Sequence, residues 1–106
     1  MMNLTEFKTL LDTTKMSVAY QHFDASNVPE MPFITYQEIT SRNFLAEEKV
    51  YAKFRHMYVT LWTKEKDTTA EETLESTFDA ADIPWAKNES YHEDERCYEI
   101  TYEVEV

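Results

Sequence analysis

Apolar residues recur at helical spacing near the start of the chain. Four of them within residues 4–13 fall on one side of a helix: Leu4, Phe7, Leu10 and Leu11. Asn3 precedes this stretch and Glu6 follows it by three positions, a spacing typical of a capping box at a helix N-terminus. We therefore predict a short helix over residues 4–13, which ends at the polar cluster that follows Leu11.

The signals for a second helix lie after residue 67 and are the clearest in the chain. Thr68 with Glu71, and Thr69 with Glu72, both match the capping-box spacing. The acidic residues of this first turn also suit the positive end of the helix dipole. One apolar stripe follows at helical spacing, made of Ala70, Leu74, Phe78 and Ala81. Pro84 disfavours helical backbone before it, so we predict that the helix ends there.

The other hydrophobic segments have the alternation or the β-branched and aromatic content that is typical of strands. The closing segment alternates most regularly, with apolar or aromatic Tyr98, Ile100, Tyr102, Val104 and Val106 on one side and Cys97, Glu99, Thr101, Glu103 and Glu105 on the other. A loop with two prolines separates the first two predicted strands. We predict five strands, over residues 17–23, 33–40, 50–63, 85–91 and 97–106.

Together these elements predict an α+β fold in the order α-β-β-β-α-β-β. Strict alternation leaves one face of a strand for the core and the other for water, which antiparallel sheets allow. We expect a mostly antiparallel, mixed β-sheet flanked by the two helices, formed by a single domain over residues 1–106. The strands over 50–63 and 97–106 are both candidates for the edges of this sheet, where another chain could pair.

The net charge of −11 lies in one part of the sequence. Residues 67–106 carry thirteen acidic and only two basic side chains, whereas residues 1–66 carry eight of each. Such a surface repels nucleic acid and anionic membranes, because phosphate binding depends on Lys and Arg. A solvated acidic face that keeps the protein in solution explains the asymmetry, and so does a surface that faces DNA without binding it.

Composition and residue spacing argue against several classes of enzyme. Glycine is absent, so the glycine-rich loops that bind nucleotides and the nucleophile elbow of hydrolases cannot form in their usual sequence. His22, His56 and His92 lie in different predicted elements and lack zinc-binding spacing. Cys97 stands among acidic residues that raise a thiol pKa. We predict no catalytic residue, no cofactor and no metal, and the segment around residues 1–15 lacks the apolar run of a membrane span.

Two segments are candidates for contact with other subunits. Phe44 and Leu45 form an apolar pair within an otherwise polar connection, residues 41–49, and could bind a neighbouring subunit or fold onto the core. Val28 and Met31 lie in the proline-containing loop and are the second candidate.

With the elements placed, the chain resembles the small tail-terminator or head–tail joining proteins of long-tailed bacteriophages, the siphovirus type. The resemblance spans nearly the whole length and rests on the order and residue types of these segments: VAYQHF (18–23), PFITY (32–36), YVTLWTKEKD (58–67), EETLESTF (71–78), DIPWAKNESYHEDE (82–95) and CYEITYEVEV (97–106). It departs from the family just after the second helix, where the family usually has Gly or Asn and this chain has Ala81 and Asp82.

The resemblance implies a structural virion protein, at the phage neck, that forms a homohexameric ring. Such a ring caps the tail-tube protein, stops its polymerisation and joins the tail to the head-completion or connector proteins, without a catalytic site. DNA would pass through the ring without specific binding. We expect either of two acidic sets to line that lumen: Glu99, Glu103 and Glu105 on the last strand, or Glu71, Glu75 and Asp79 on the second helix.

Two other classes of function remain as alternatives. The first is an acidic DNA mimic, whose carboxylates replace phosphates and inhibit a DNA-binding enzyme. This hypothesis requires acidic side chains along one continuous surface. The second is a small enzyme or metal-binding protein, which requires His22, His56, His92 or Cys97 to converge.

Overall fold

The computed structural model describes residues 2–39 and 55–106. Helix α1 spans Leu4–Asp12 and begins with the predicted capping box. The side chain of Asn3 accepts a hydrogen bond from the Glu6 amide at 2.7 Å, and the Glu6 carboxylate accepts one from the Asn3 amide at 2.9 Å. Phe7 and Leu11 are its buried residues, which confirms the helical face that the sequence predicts.

Helix α2 spans Thr68–Ala80, and its N-terminus differs from the prediction. Asp67, not a threonine, caps the helix, because its carboxylate accepts a hydrogen bond from the Ala70 amide at 3.0 Å. Glu71 is therefore not needed as a capping partner and points into the protein. Ala70, Leu74 and Phe78 are buried, as the predicted apolar stripe requires.

The C-terminus of α2 is closed by a Schellman motif. The Ile83 amide donates to the Phe78 carbonyl at 2.9 Å, and the Asp82 amide donates to the Asp79 carbonyl at 3.1 Å. Asp82 has a φ of 59°, the left-handed conformation that glycine usually supplies at this position. Ile83 is buried and lies in the same core cluster as Phe78, which is the hydrophobic contact expected of this motif.

Five strands form one mixed sheet. They are β1 (Ser17–Tyr20), β2 (Phe33–Ile39), β3 (His56–Thr63), β4 (Trp85–His92) and β5 (Cys97–Glu105), and a short 3₁₀ turn at Ala25–Asn27 lies between the first two. The strand order is β1-β2-β3-β5-β4, in which β1 pairs parallel with β2 and all other pairs are antiparallel. This is the predicted α+β class and element order.

The sheet edges differ from the prediction. β3 and β5, which the sequence marks as possible edges, are neighbours in the interior of the sheet. The edges are the four-residue β1 and the eight-residue β4. The reason is that β4 and β5 form a hairpin through the acidic turn at residues 93–96, while β5 also pairs with β3 along its length.

The core lies between one face of the sheet and the two helices. Its strand members come from alternating positions of β2, β3 and β5, and its helix members come from the apolar faces of α1 and α2. Among residues 2–39 and 55–106, Tyr102, Phe7 and Phe78 are the largest side chains that are completely buried. Burying one large apolar side chain stabilises the folded state by about 1.5–3 kcal/mol. The opposite face of the sheet carries neither α1 nor α2.

Candidate functional site

The face of the sheet that lies opposite the helices is the candidate site, and we call it the open face. Its central part is formed by β3 and β5, where Tyr58 opposes Glu103 and Trp62 opposes Glu99 in the antiparallel register. Thr60 opposes Thr101 between them, with the two hydroxyl oxygens 3.4 Å apart. The open face therefore combines carboxylates with aromatic and hydroxyl groups.

Glu99 is held in place by two neighbours on the open face. His92 Nε2 lies 2.5 Å from its Oε1, and the Thr101 hydroxyl donates to its Oε2 at 3.3 Å. On β3, the Trp62 indole donates to the Thr35 hydroxyl at 3.0 Å, and its ring lies 6.0 Å from the His92 ring. These contacts fix the rotamers of one end of the open face.

The other two acidic residues of β5 are more exposed. His56 Nε2 lies 3.0 Å from the Glu105 carboxylate. Glu103 is exposed, and its backbone is paired with Tyr58 on β3 and with Ala86 on β4. Together with Tyr58, Glu99 and Thr101 it borders a shallow depression of about 320 Å³. The three acidic residues of the predicted strand set thus share one face, as their alternation indicates.

The predicted helix set does not form such a surface. The side chain of Glu71 is only 4% exposed and that of Glu75 only 16%, so neither presents its carboxylate outward, and this half of the expectation is corrected. Asp79 is exposed and accepts a hydrogen bond from the Trp85 indole at 2.9 Å. The helix places these residues one turn apart, and the two nearer the sheet contact lysines.

These lysines form an ion-pair network with the helix carboxylates. Lys66 Nζ lies 2.7 Å from Glu71, and Lys87 Nζ lies 2.9 Å from the other oxygen of the same carboxylate. Lys87 also lies 2.6 Å from Glu75, and Lys66 lies 2.6 Å from Glu89. Two cations therefore connect three carboxylates between α2 and β4. The network therefore joins helix α2 to strand β4 through side-chain ion pairs.

The network shifts the pKa values of its members. Burial alone would raise the pKa of Glu71, but hydrogen bonds from Lys66 and Lys87 lower it, and the net pKa lies below its usual range. Hydrogen bonds to Glu75 and then Glu71 raise the pKa of Lys87. Burial, and then the hydrogen bond that its hydroxyl donates to Glu75 at 2.7 Å, raises the pKa of Tyr102. The shifts at Glu71 and Lys87 favour their charged, ion-paired forms at neutral pH, and the shift at Tyr102 keeps its hydroxyl protonated as a hydrogen-bond donor.

The candidate interface residues that the structure describes differ in solvent exposure. Val28 is 55% exposed, one of the most exposed large hydrophobic residues in the described part of the chain. Met31, three positions later in the same loop, is half-buried. Phe44 and Leu45 lie outside the described residues. The proline-containing loop therefore keeps an apolar side chain at the surface, available for contact with another subunit.

His92 and Cys97 directly oppose each other in the β4–β5 register, and the other two histidines lie elsewhere in the fold. His22 is exposed after β1, while His56 and His92 are on the open face in contact with different glutamates. Cys97 is buried, and the pKa of its thiol is raised by burial, then by Glu95 and Glu99. Over residues 2–39 and 55–106, no three His, Cys, Asp or Glu side chains converge as they would to hold a metal ion.

Sequence reasoning missed two features of the surface. One is the pairing of Lys66 and Lys87 with Glu71, because the sequence pattern assigned Glu71 to a capping box with Thr68. The other is β4 as an exposed sheet edge, for which its high polar content, WAKNESYH, is a recognisable signal.

Comparison with protein-family models, with curated proteins and with solved structures finds no match. In the described residues, no helix has both the length and the apolar content needed to cross a membrane.

Proposed function

We propose that this protein is a structural subunit of a tailed-bacteriophage virion, which assembles into a ring that ends the tail tube and joins tail to head. In this proposal the chain acts through subunit contacts and has no catalytic role. The sequence resemblance suggests the class. The observation that supports it further is the open face, where Glu99, Glu103 and Glu105 lie on one side of a central strand, opposite the helices.

An acidic open face suits a channel for DNA. Carboxylates repel the phosphate backbone, so a strand that lines a lumen with Glu103 and its neighbours lets DNA pass without adhering. The neighbouring aromatic and threonine side chains give this surface a fixed shape. The helices, on the other side of the sheet, would then lie toward the outside of the ring.

A closed ring needs a heterologous contact, in which one patch of each subunit binds a different patch of the next. Val28 is a candidate for such a contact because it is an exposed apolar side chain in the loop that connects β1 and β2. In this proposal Val28, with Met31, packs against the neighbouring subunit.

The first experiment is the mass of the purified protein over a range of concentrations, with negative-stain imaging of the same samples and of samples that contain tail tubes. A ring with a central hole, alone or on the tube end, supports the proposal. A protein that stays monomeric in both cases and inhibits a DNA-binding enzyme supports the DNA mimic instead and refutes the ring.

The second experiment tests the lumen. A strand variant, Glu99→Gln with Glu103→Gln and Glu105→Gln, removes three charges from the open face. A matched turn variant removes three charges from the exposed β4–β5 turn, through Glu93→Gln, Asp94→Asn and Glu95→Gln. In tailed particles assembled with each variant, we expect slower DNA release for the strand variant and wild-type release for the turn variant. Equal release in both means that the open face does not line the channel.

A further inference from the structure

Strand β4 forms one edge of the sheet. β4 pairs with β5 on one side, and no described element pairs with its other side. Its eight residues contain no proline, and residues 86–91 are all exposed, with Tyr91 49% exposed. A regular edge of this length offers a row of backbone donors and acceptors to another strand.

The side chains of β4 alternate between the two faces of the sheet. On the side of the helices lie Trp85, Lys87, Glu89 and Tyr91, opposite core residues of β5 such as Tyr102 and Ile100. On the open face lie Ala86, Asn88 and Ser90. The helix-side residues follow the order aromatic, basic, acidic, aromatic. When a second β4 runs antiparallel to the first, this order places an aromatic residue opposite an aromatic one and a basic residue opposite an acidic one.

We propose that β4 pairs antiparallel with β4 of a second copy of this chain, about a two-fold axis at Asn88. An axis perpendicular to the sheet keeps the helices of both copies on the same side, so residues of one face oppose residues of the same face. Lys87 then opposes Glu89 of the second copy, and Trp85 opposes Tyr91. Each of these pairs occurs twice, and opposite-charge and aromatic pairs are favourable across strands.

Neighbouring registers lack this complementarity. An axis at Lys87 would place the two lysines opposite each other, and an axis at Glu89 would place the two glutamates opposite each other, both of which are unfavourable. Directly opposed residues of two paired strands must point to the same face of the sheet. The two nearest symmetric registers are therefore those in which the axis moves by one residue, to Lys87 or to Glu89. The charge pattern of β4 therefore selects one register.

The ion-pair network within each copy is compatible with this contact. The side chains of Lys87 and Glu89 remain 37% and 41% exposed although each has a partner in its own chain. In each copy two lysines form ion pairs with three carboxylates, so the carboxylates outnumber the cations. Lys87 of one copy can therefore approach Glu89 of the other and extend the network across the axis. The dimer would have one continuous sheet of ten strands.

The β4 contact does not depend on the proposed ring. A two-fold contact joins like surfaces, whereas a ring uses unlike surfaces. The β4 contact would thus join two rings, or protect the edge strand of subunits that are not yet assembled. A hexamer without the β4 contact would refute only the present proposal.

Disulfide trapping tests the register. In Asn88→Cys, the two cysteines of the dimer directly oppose each other across the axis, and their Cβ atoms are close enough for a disulfide. We therefore expect an intermolecular disulfide to form rapidly under mild oxidation. Ala86→Cys is the matched control on the same face, and alone it should cross-link far more slowly. Adding Ser90→Cys to it should restore rapid cross-linking, since residues 86 and 90 oppose each other. Equal rates for Asn88→Cys and Ala86→Cys would overturn the proposal.

Charge reversal gives a second test without cysteines. Glu89→Lys puts two positive side chains opposite each other on both sides of the two-fold axis, and we expect at least a tenfold weaker dimer by sedimentation equilibrium. Glu72→Lys is the control, because it changes the net charge by the same amount on the exposed part of α2. It should leave the dimer unchanged or strengthen it by lowering the repulsion between two acidic chains. Equal weakening by both, or a wild-type protein that is monomeric at all concentrations, would refute the β4 contact.

Discussion

Replacing Lys87 is the most informative perturbation of the fold, because this lysine connects β4 to two carboxylates of α2. Its Nζ lies 2.9 Å from Glu71 and 2.6 Å from Glu75, and it lies 5.9 Å from the centres of the Trp85 and Tyr102 rings. In Lys87→Met the apolar stem remains and the charge is lost. Glu71, almost fully buried, would keep its ion pair with Lys66.

The expected loss lies between two limits. Removing one member of a fully buried ion pair costs about 3–5 kcal/mol, whereas an exposed pair contributes about 0.2–1 kcal/mol. Lys87 is 37% exposed while its partners are mostly buried, so we expect Lys87→Met to lower the unfolding free energy by about 2 kcal/mol. For a domain of this size this corresponds to about 10 °C in Tm.

The assay is urea unfolding at pH 7 of the wild type, Lys87→Met, Glu71→Gln and the double variant. The two residues are in contact, so we expect a coupling energy of about 1–2 kcal/mol and a double variant that is less destabilised than the sum of the single ones. Lys64→Met is the control, since Lys64 is exposed and should stay within about 0.5 kcal/mol of the wild type. Additive single effects, or a Lys87→Met loss as small as that of the control, would show that the network does not stabilise the fold.

Three further predictions follow from single sites. Asp82→Gly should raise the unfolding free energy by about 1 kcal/mol, because glycine suits the left-handed φ of 59° and the charge at a helix C-terminus is removed; Asp82→Ala, which keeps a Cβ, should show no such gain. Thr63→Val should stabilise by about 1 kcal/mol in urea unfolding, because the buried Thr63 hydroxyl has no hydrogen-bond partner among the described residues; a destabilised variant would contradict this. The folded-state pKa of Glu71 is lowered, so its contribution to stability is present above the unfolded pKa of about 4.3 and is lost as the pH falls through the folded pKa; Glu71→Gln should flatten this part of the pH–stability curve, and an unchanged curve would contradict it.

The candidate site was predictable only in part. The strict alternation in β5 is enough to place Glu99, Glu103 and Glu105 on one side of a strand, because the side-chain period of a strand is a local property. The same local reasoning fails for Glu71. Its position in the first turn of α2 suits a capping box, but its environment depends on Lys66 and Lys87, and Lys87 lies on a strand that follows the helix.

The sequence by itself determined the helices, the strands, their order and the α+β class. These features depend on periodicity, capping residues and prolines, which act over a few neighbouring positions. The tertiary structure decided which strands lie at the edges, which face of the sheet the helices cover and which carboxylates are buried. Each of these depends on pairing between distant segments, such as β3 with β5, and many pairings satisfy the same local pattern. The exposed edge at β4 and the open face, on which both proposals depend, are therefore products of topology.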